Sequence, residues 1–219
     1  MIFNEQHNYL FVHIQKTGGT SISAYLTEHC NARFMTPAHL QLNCMVFKDI
    51  KPTIFATVRN PWERLVSWYD MMIAKGMHND FSNYLLQPEP SGHPPRFSSF
   101  IRRTAIIQER ELPELSDSTG NDIYDSAKGY LKSLSFNQID YLTDSFGNFA
   151  CHHTLAFENL GAEFAAFIQK MHPDQNLPPL PHLNARSKSR AWRDYYSNED
   201  REWVARLYQK DIRHFGFTF

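Results

Sequence analysis

Residues 9–28 constrain this chain more than any other stretch. Tyr9-Leu-Phe-Val-His-Ile14 is apolar, β-branched and aromatic, the pattern of a buried strand. A polar glycine turn follows, Gln15-Lys-Thr-Gly-Gly-Thr-Ser21. Ile22, Tyr25 and Leu26 then recur at helical spacing over residues 21–28. A strand that feeds a tight turn and then a helix aims turn amides and the positive helix end at one point, which suits an anion. Gly18 and Gly19 permit positive φ and the close approach of a phosphate. Thr17, Thr20 and Ser21 offer hydroxyl donors, and Lys16 offers a point charge. The lysine precedes the glycines, unlike the common GxxxxGK[ST] loop. An ordinary strand-to-helix turn would carry the glycines equally well. The lysine, the hydroxyls and the preceding strand together favour phosphate binding.

A second strand-to-helix unit follows. Residues 52–58, Pro-Thr-Ile-Phe-Ala-Thr-Val, read as a buried strand that stops at Arg59-Asn-Pro61. Pro61 suits the first turn of a helix, which the pattern of Leu65, Val66, Trp68, Tyr69, Met72 and Ile73 extends over 62–74, with Gly76 ending it. Arg59 stands at the carboxyl edge of its strand, where open α/β sheets bind ligands; alone it reads as readily as a salt bridge. Ser67 lies two turns into the helix. Two such strand ends suggest two phosphate positions on one nucleotide.

Downstream, residues 87–95 read as a Pro/Gly/Ser loop and 97–107 as a helix, while 31–49 and 112–132 resist placement. Residues 138–142 and 152–157 read as short strands, and 158–171 as a helix striped by Leu160, Phe164, Phe167 and Ile168. Ser197 reads as the N-cap of a last helix reaching about His214. Strands alternating with helices predict an α/β layer fold around a mostly parallel sheet.

Charge narrows the partners. Lys and Arg total 22 against 23 Asp and Glu, a net charge of −1. An anionic ligand must therefore be met by a local patch, which argues against general nucleic-acid binding. Cys30, Cys44 and Cys151 form no CxxC pair, so free and mostly buried thiols are expected. His152 and His153 are adjacent on a strand and point to opposite faces, which argues against a shared metal. No apolar run is long enough to span a membrane and the first residues carry no secretory pattern, which predicts a cytoplasmic protein without an integral membrane segment.

Phe11-Val-His-Ile-Gln-Lys-Thr-Gly-Gly-Thr-Ser21 resembles the 5′-phosphosulfate loop of the PAPS-dependent sulfotransferases. Ala56-Thr-Val-Arg-Asn-Pro-Trp-Glu-Arg-Leu-Val-Ser-Trp-Tyr69 resembles their 3′-phosphate motif. The resemblance is strongest to the carbohydrate branch, which holds the heparan sulfate 2-O and chondroitin enzymes and bacterial relatives. Phe157-Glu-Asn-Leu160, Pro181-His-Leu-Asn184, Tyr195-Tyr-Ser197 and Asp211-Ile-Arg-His-Phe-Gly216 add weaker matches. The resemblance implies a single P-loop-like three-layer domain over 1–219, with PAPS as sulfuryl donor and a hydroxyl-bearing acceptor, a glycan or glycoconjugate. It also implies roles. Lys16 contacts the 5′-phosphate and the bridging oxygen; Thr17, Gly18, Gly19, Thr20 and Ser21 wrap the phosphosulfate; Arg59 and Ser67 hold the 3′-phosphate. A basic loop near that phosphate is matched by Arg186, Lys188, Arg190 and Arg193, four cations in eight residues, of which Lys188 is taken as the ligand. A solvated face accounts for the same loop as well. The family's secretory members leave a lumenal domain with its anchor removed as the alternative location.

Removing the acceptor's proton calls for a base, and histidine suits neutral pH. Among 11 histidines, His39 in Thr36-Pro-Ala-His39 resembles the family's base; packing, or another group as base, remains the alternative. His13 reads as a packing residue within its strand. Two other classes compete with sulfuryl transfer: a P-loop-like kinase, and a noncatalytic nucleotide- or polyanion-binding module. A kinase needs Mg²⁺ held by a strand-end acid. Here that strand ends in Arg59, so metal-independent transfer is expected.

Overall fold

The computed structural model describes residues 1–35, 39–45, 50–75, 84–93, 95–109, 133–181, 183 and 190–219. The chain divides into two compact units, each built from two stretches of sequence. Met1–Arg59 and Gln138–Ser187 form the first; Asn60–Asn137 and Lys188–Phe219 form the second.

The first unit is built on a five-stranded sheet. In chain order its strands are β1 (Ile2–Asn4), β2 (Tyr9–Val12), β3 (Arg33–Phe34), β4 (Thr53–Val58) and β5 (His153–Ala156), and in space they run β3-β1-β2-β4-β5. β2 and β4 pair in parallel with Phe11 opposite Phe55, and β4 and β5 in parallel with Phe55 opposite His153. β2 and all of β4 past Thr53 are buried without alternation, as strands covered on both faces must be. β1 is antiparallel to both of its neighbours. The sheet is therefore mixed, with two parallel and two antiparallel pairings, which corrects the mostly parallel expectation. The antiparallel half is made of strands three and two residues long, too short to show a period in sequence.

Helix α1 (Gly19–His29) follows β2 and helix α4 (Leu160–Met171) follows β5. Each presents an i, i+3, i+4 stripe, Ile22, Tyr25 and Leu26 on α1 and Phe164, Phe167 and Ile168 on α4. The two stripes meet Ile2, Tyr9, Phe11, Phe55 and Leu155 in one apolar cluster. Phe55 lies 4.1 Å from Phe167, ring centre to ring centre. Residues 138–142, expected as a strand, instead open with a 3-10 turn over Gln138–Tyr141. The reason is local. The Gln138 side-chain amide accepts the Arg59 N–H at 2.9 Å and donates to the Arg59 carbonyl at 2.8 Å. One side chain thus satisfies the end of β4 in place of a neighbouring strand.

The second unit is helical among its described residues. Helices α2 (Pro61–Lys75), α3 (Phe97–Glu109), α5 (Asn198–Leu207) and α6 (Gln209–Phe215) bury Leu65, Trp68, Met72, Phe100, Ile101 and Val204 in its core. Pro61 opens α2 as expected. Ser197 caps α5 in a reciprocal box with Asp200, whose carboxylate also accepts from Ser98 at 2.7 Å. The single last helix expected from sequence breaks at Tyr208, whose hydroxyl donates to the Leu134 carbonyl at 2.6 Å. Arg64 is buried because its guanidinium donates to the Phe136 and Ser133 carbonyls. Cys30, Cys44 and Cys151 are free, the first and last buried. No helix among the described residues is long and apolar enough to cross a membrane.

His172 is buried where α4 ends. Its Nε2 meets the Tyr9 hydroxyl at 3.0 Å, and its ring lies tilted against that of His7, 3.9 Å between centres. Burial first, then His7, holds its pKa below the ordinary histidine value. His153 is lowered as well, by burial, Lys170 and His152. In the unfolded chain these rings take up protons near pH 6.5. The unfolded state therefore binds more protons below that pH, and stability falls as pH falls. The urea midpoint should be lower at pH 5.5 than at pH 7.5, and His172→Gln should reduce the difference. Equal midpoints for the wild type would contradict the assignment.

Candidate active site

The turn between β2 and α1 is strained in the manner of an anion cradle. Lys16 has φ +66° and Gly18 has φ +84°. Turns with left-handed residues of this kind can bring successive N–H groups to one side of the chain, as in a nest. Gly18 caps α1 without a side-chain hydrogen bond, and no acid stands in the first turn of that helix. The helix end therefore keeps its positive character. For a lysine, positive φ costs roughly 1 kcal/mol or more. The turn is held by its neighbours. The Arg59 guanidinium donates to the Lys16 carbonyl at 3.0 Å and lies 3.9 Å above the Phe157 ring. Gly18 is hemmed in on its other side: a Cβ there would come within 2.8 Å of Leu160 Cδ2 and 3.2 Å of the Phe157 ring.

Each residue of the motif can now be placed. Thr17 is wholly buried. Its hydroxyl donates to the Ile14 carbonyl at 2.8 Å, and it therefore accepts from the Thr57 hydroxyl at 2.7 Å. The Ser21 hydroxyl accepts the Leu183 N–H at 3.0 Å. Two of the three hydroxyls expected at the anion are thus engaged by the protein. Thr20 is exposed on the first turn of α1, and Lys16 is half-buried. Gly19 does not carry the positive φ expected of it. The space of its missing Cβ is taken by the His13 ring, with which any side chain would collide.

His39 stands beside this turn. Its Nδ1 meets the His13 carbonyl at 2.9 Å, and its ring packs edge-on against the His13 ring, 4.4 Å between centres. A carbonyl only accepts, so Nδ1 carries the proton and Nε2 is the basic nitrogen of the neutral ring. Burial pushes the His39 pKa below its ordinary value, against a smaller upward pull from the His13 carbonyl. Burial thus favours the neutral ring, the state a base requires. His13 lies one residue beyond the end of β2; its own pKa is driven well down by desolvation and by His39.

Arg59 and Ser67 fall on either side of the division between the units. Arg59 closes β4 in the first, and Ser67 is half-buried in the second turn of α2 in the second. Lys188 lies outside the described residues, as do Arg186 and residues 36–38 before His39. His152 uses Nδ1 to accept the Ile54 N–H at 2.9 Å. Among the described residues no cluster of three or more His, Cys, Asp or Glu could hold a metal ion. Three supporting residues carried no readable signal of their role: Gln138, Thr57 and His13. Phe157 stood inside a recognised motif without one.

A model described as the sulfotransferase family matches residues 1–218, almost the whole chain. No curated protein and no solved structure matches it.

The turn's construction makes a stability test. Thr17→Val removes the donor to Ile14 and leaves the buried Thr57 hydroxyl without its acceptor. It should destabilise by about 1–3 kcal/mol. Gly18→Ala adds a strained φ and a clash with Leu160, and should cost at least as much. Denaturant unfolding of the two variants checks both; a loss below about 0.5 kcal/mol in either would mean the turn is not so constrained.

Proposed function

The chain belongs to the sulfotransferase family, and from that premise we propose that it moves the sulfuryl group of PAPS to a hydroxyl of a carbohydrate acceptor, as a single catalytic domain over 1–219. The observation that carries the proposal is the joining of two features at the end of β2. One is the turn with positive φ at Lys16 and Gly18; the other is the His39 imidazole, whose Nδ1 meets the His13 carbonyl. The residues suit a phosphosulfate. The turn is rich in main-chain donors, the first turn of α1 holds no carboxylate, and Lys16 supplies the cation. When bound, the donor supplies an activated sulfuryl group.

The chain's own residues do the rest. The amides of Thr17, Gly18, Gly19 and Thr20 bind the anion, with Thr20 adding its hydroxyl; the Ser21 N–H, which the motif would also place there, donates to the Gly18 carbonyl at 3.1 Å. The hydroxyls of Thr17 and Ser21 hold the turn in shape. The Lys16 ammonium meets the negative charge that grows on the leaving oxygen, the task preorganised donors perform best. His39 Nε2 accepts the proton of the attacking hydroxyl. The assignment of Arg59, Ser67 and Lys188 to the 3′-phosphate rests on the motifs. For Arg59 a second duty is added, since its guanidinium also holds the Lys16 carbonyl. A strand-end arginine in place of an acid favours transfer without a metal. Carbohydrate as the acceptor and a cytoplasmic location rest on the sequence.

Lys16→Ala should lower kcat by about 100-fold or more, because the charge acts mainly in the transition state. His39→Ala should abolish transfer of labelled sulfate from PAPS across a panel of carbohydrate acceptors while sparing PAP affinity. Full turnover in His39→Ala would remove it as the base. Restoration of chelator-inhibited activity by Mg²⁺ would favour phosphoryl transfer instead.

Selective recognition of the donor has a simpler readout. PAP should raise the melting temperature and ADP, which lacks the 3′-phosphate, should not. Equal shifts from both would leave the 3′-phosphate assignment without support.

A further inference from the structure

Five contacts converge on His13, a residue the reaction scheme leaves unused. Its carbonyl takes the Nδ1 proton of His39. Its ring is the surface against which the His39 ring packs edge-on. The same ring fills the space of the missing Gly19 Cβ, at the first residue of α1. Its Nδ1 lies 3.3 Å from the Ser23 hydroxyl, one turn further along that helix. A stacked Phe11 ring, 5.8 Å away, supports it from β2.

We propose that His13 is the positioning residue of this site: its carbonyl and ring fix the orientation of His39, and the same ring seats the first turn of α1, so that base and anion-binding turn are held in register by one residue. The inference rests on the reading of His39 as base. The carbonyl selects the tautomer, and the ring sets the angle of the imidazole about that hydrogen bond. The Ser23 contact and the Gly19 contact lock the His13 ring to α1. A displacement of α1 is thereby transmitted to His39. This also explains why position 19 is a glycine without a positive φ.

The packing has a measurable consequence. His39 is kept from water by the His13 ring, and removal of that ring lets water reach it. Groups acting on the two rings include His39 on His13, the His13 carbonyl on His39, and the Met1 amino group, whose own pKa burial lowers to about 5. Burial is the largest influence on both rings, so solvent access is the variable that a change at position 13 alters.

The experiment is an NMR titration of the His39 imidazole in the full chain, assigned by its loss in His39→Ala, together with PAP binding by calorimetry. Neither readout needs a known acceptor. In the wild type His39 should titrate below the ordinary histidine value. In His13→Ala its pKa should rise by about half a unit or more, towards that of a solvated ring. His13→Phe, which keeps the ring and the carbonyl, should hold it near the wild-type value. Gly19→Ala, which pushes a methyl group into the His13 ring from another element, should move His39 in the direction of His13→Ala. Should His13→Ala not fold, His13→Phe and Gly19→Ala still decide the matter. An unmoved His39 in Gly19→Ala, or a His13→Phe that titrates like a solvated histidine, overturns the inference while the base assignment stands. Undiminished sulfate transfer by His39→Ala overturns the base assignment itself, whatever the His13 variants do.

Discussion

One hydrogen bond sets the terms for the rest of the first unit, that from the Arg59 guanidinium to the Lys16 carbonyl. The turn after β2 places a lysine in a backbone conformation that L-residues avoid. Nothing in its own sequence makes that conformation favourable. Arg59 holds it from the end of the adjacent strand, and Phe157 holds Arg59 from the end of the next. Because β2, β4 and β5 are parallel neighbours, their carboxyl ends lie side by side, and each contributes one member of the chain Lys16, Arg59, Phe157. The parallel half of the sheet is thus what the turn requires. The antiparallel strands β1 and β3 only extend its far edge.

That arrangement explains what could be read from sequence. β2, β4 and their helices were legible because each is a run of apolar residues buried on both faces or a stripe at helical spacing. The strand-turn-helix motif was legible because glycine, lysine and hydroxyl residues seldom crowd together without an anion to meet. What escaped were the side chains that replace backbone. Gln138 closes β4 with its amide, so its neighbourhood carries a strand's composition without forming a strand. Thr17 and Ser21 look like ligand donors in sequence, yet their hydroxyls hold the turn in shape. Gly19 seemed to serve backbone freedom and instead makes room for a ring. Composition reveals which groups are present at a site, whereas their direction depends on residues 40 and 162 positions away, Thr57 and Leu183.

The electrical problem of such a site is to attract a polyanion while keeping a base unprotonated. The protein as a whole, at a net charge of −1, contributes no attractive field, so the attraction must be local. Main-chain amides and the end of α1 serve this purpose well. Their dipoles are fixed, carry no titratable proton, and act over a few ångströms. A cluster of lysines would have done the same work at longer range, but would also have depressed the basicity of a nearby imidazole.

A bound anion pulls the other way. Several negative charges near His39 would raise its pKa and favour the imidazolium, which cannot accept a proton. The burial of His39 opposes this, because desolvation penalises the charged ring. A base whose pKa is low in the empty site can rise on binding and still arrive near neutrality, where its proton affinity and its unprotonated fraction are best balanced. A fully solvated histidine, starting near 6.5, would be carried past that point and would be protonated for much of the time. Under the proposed function, the edge-on packing of the His13 and His39 rings at the end of β2 prepares the base for the charge of the donor.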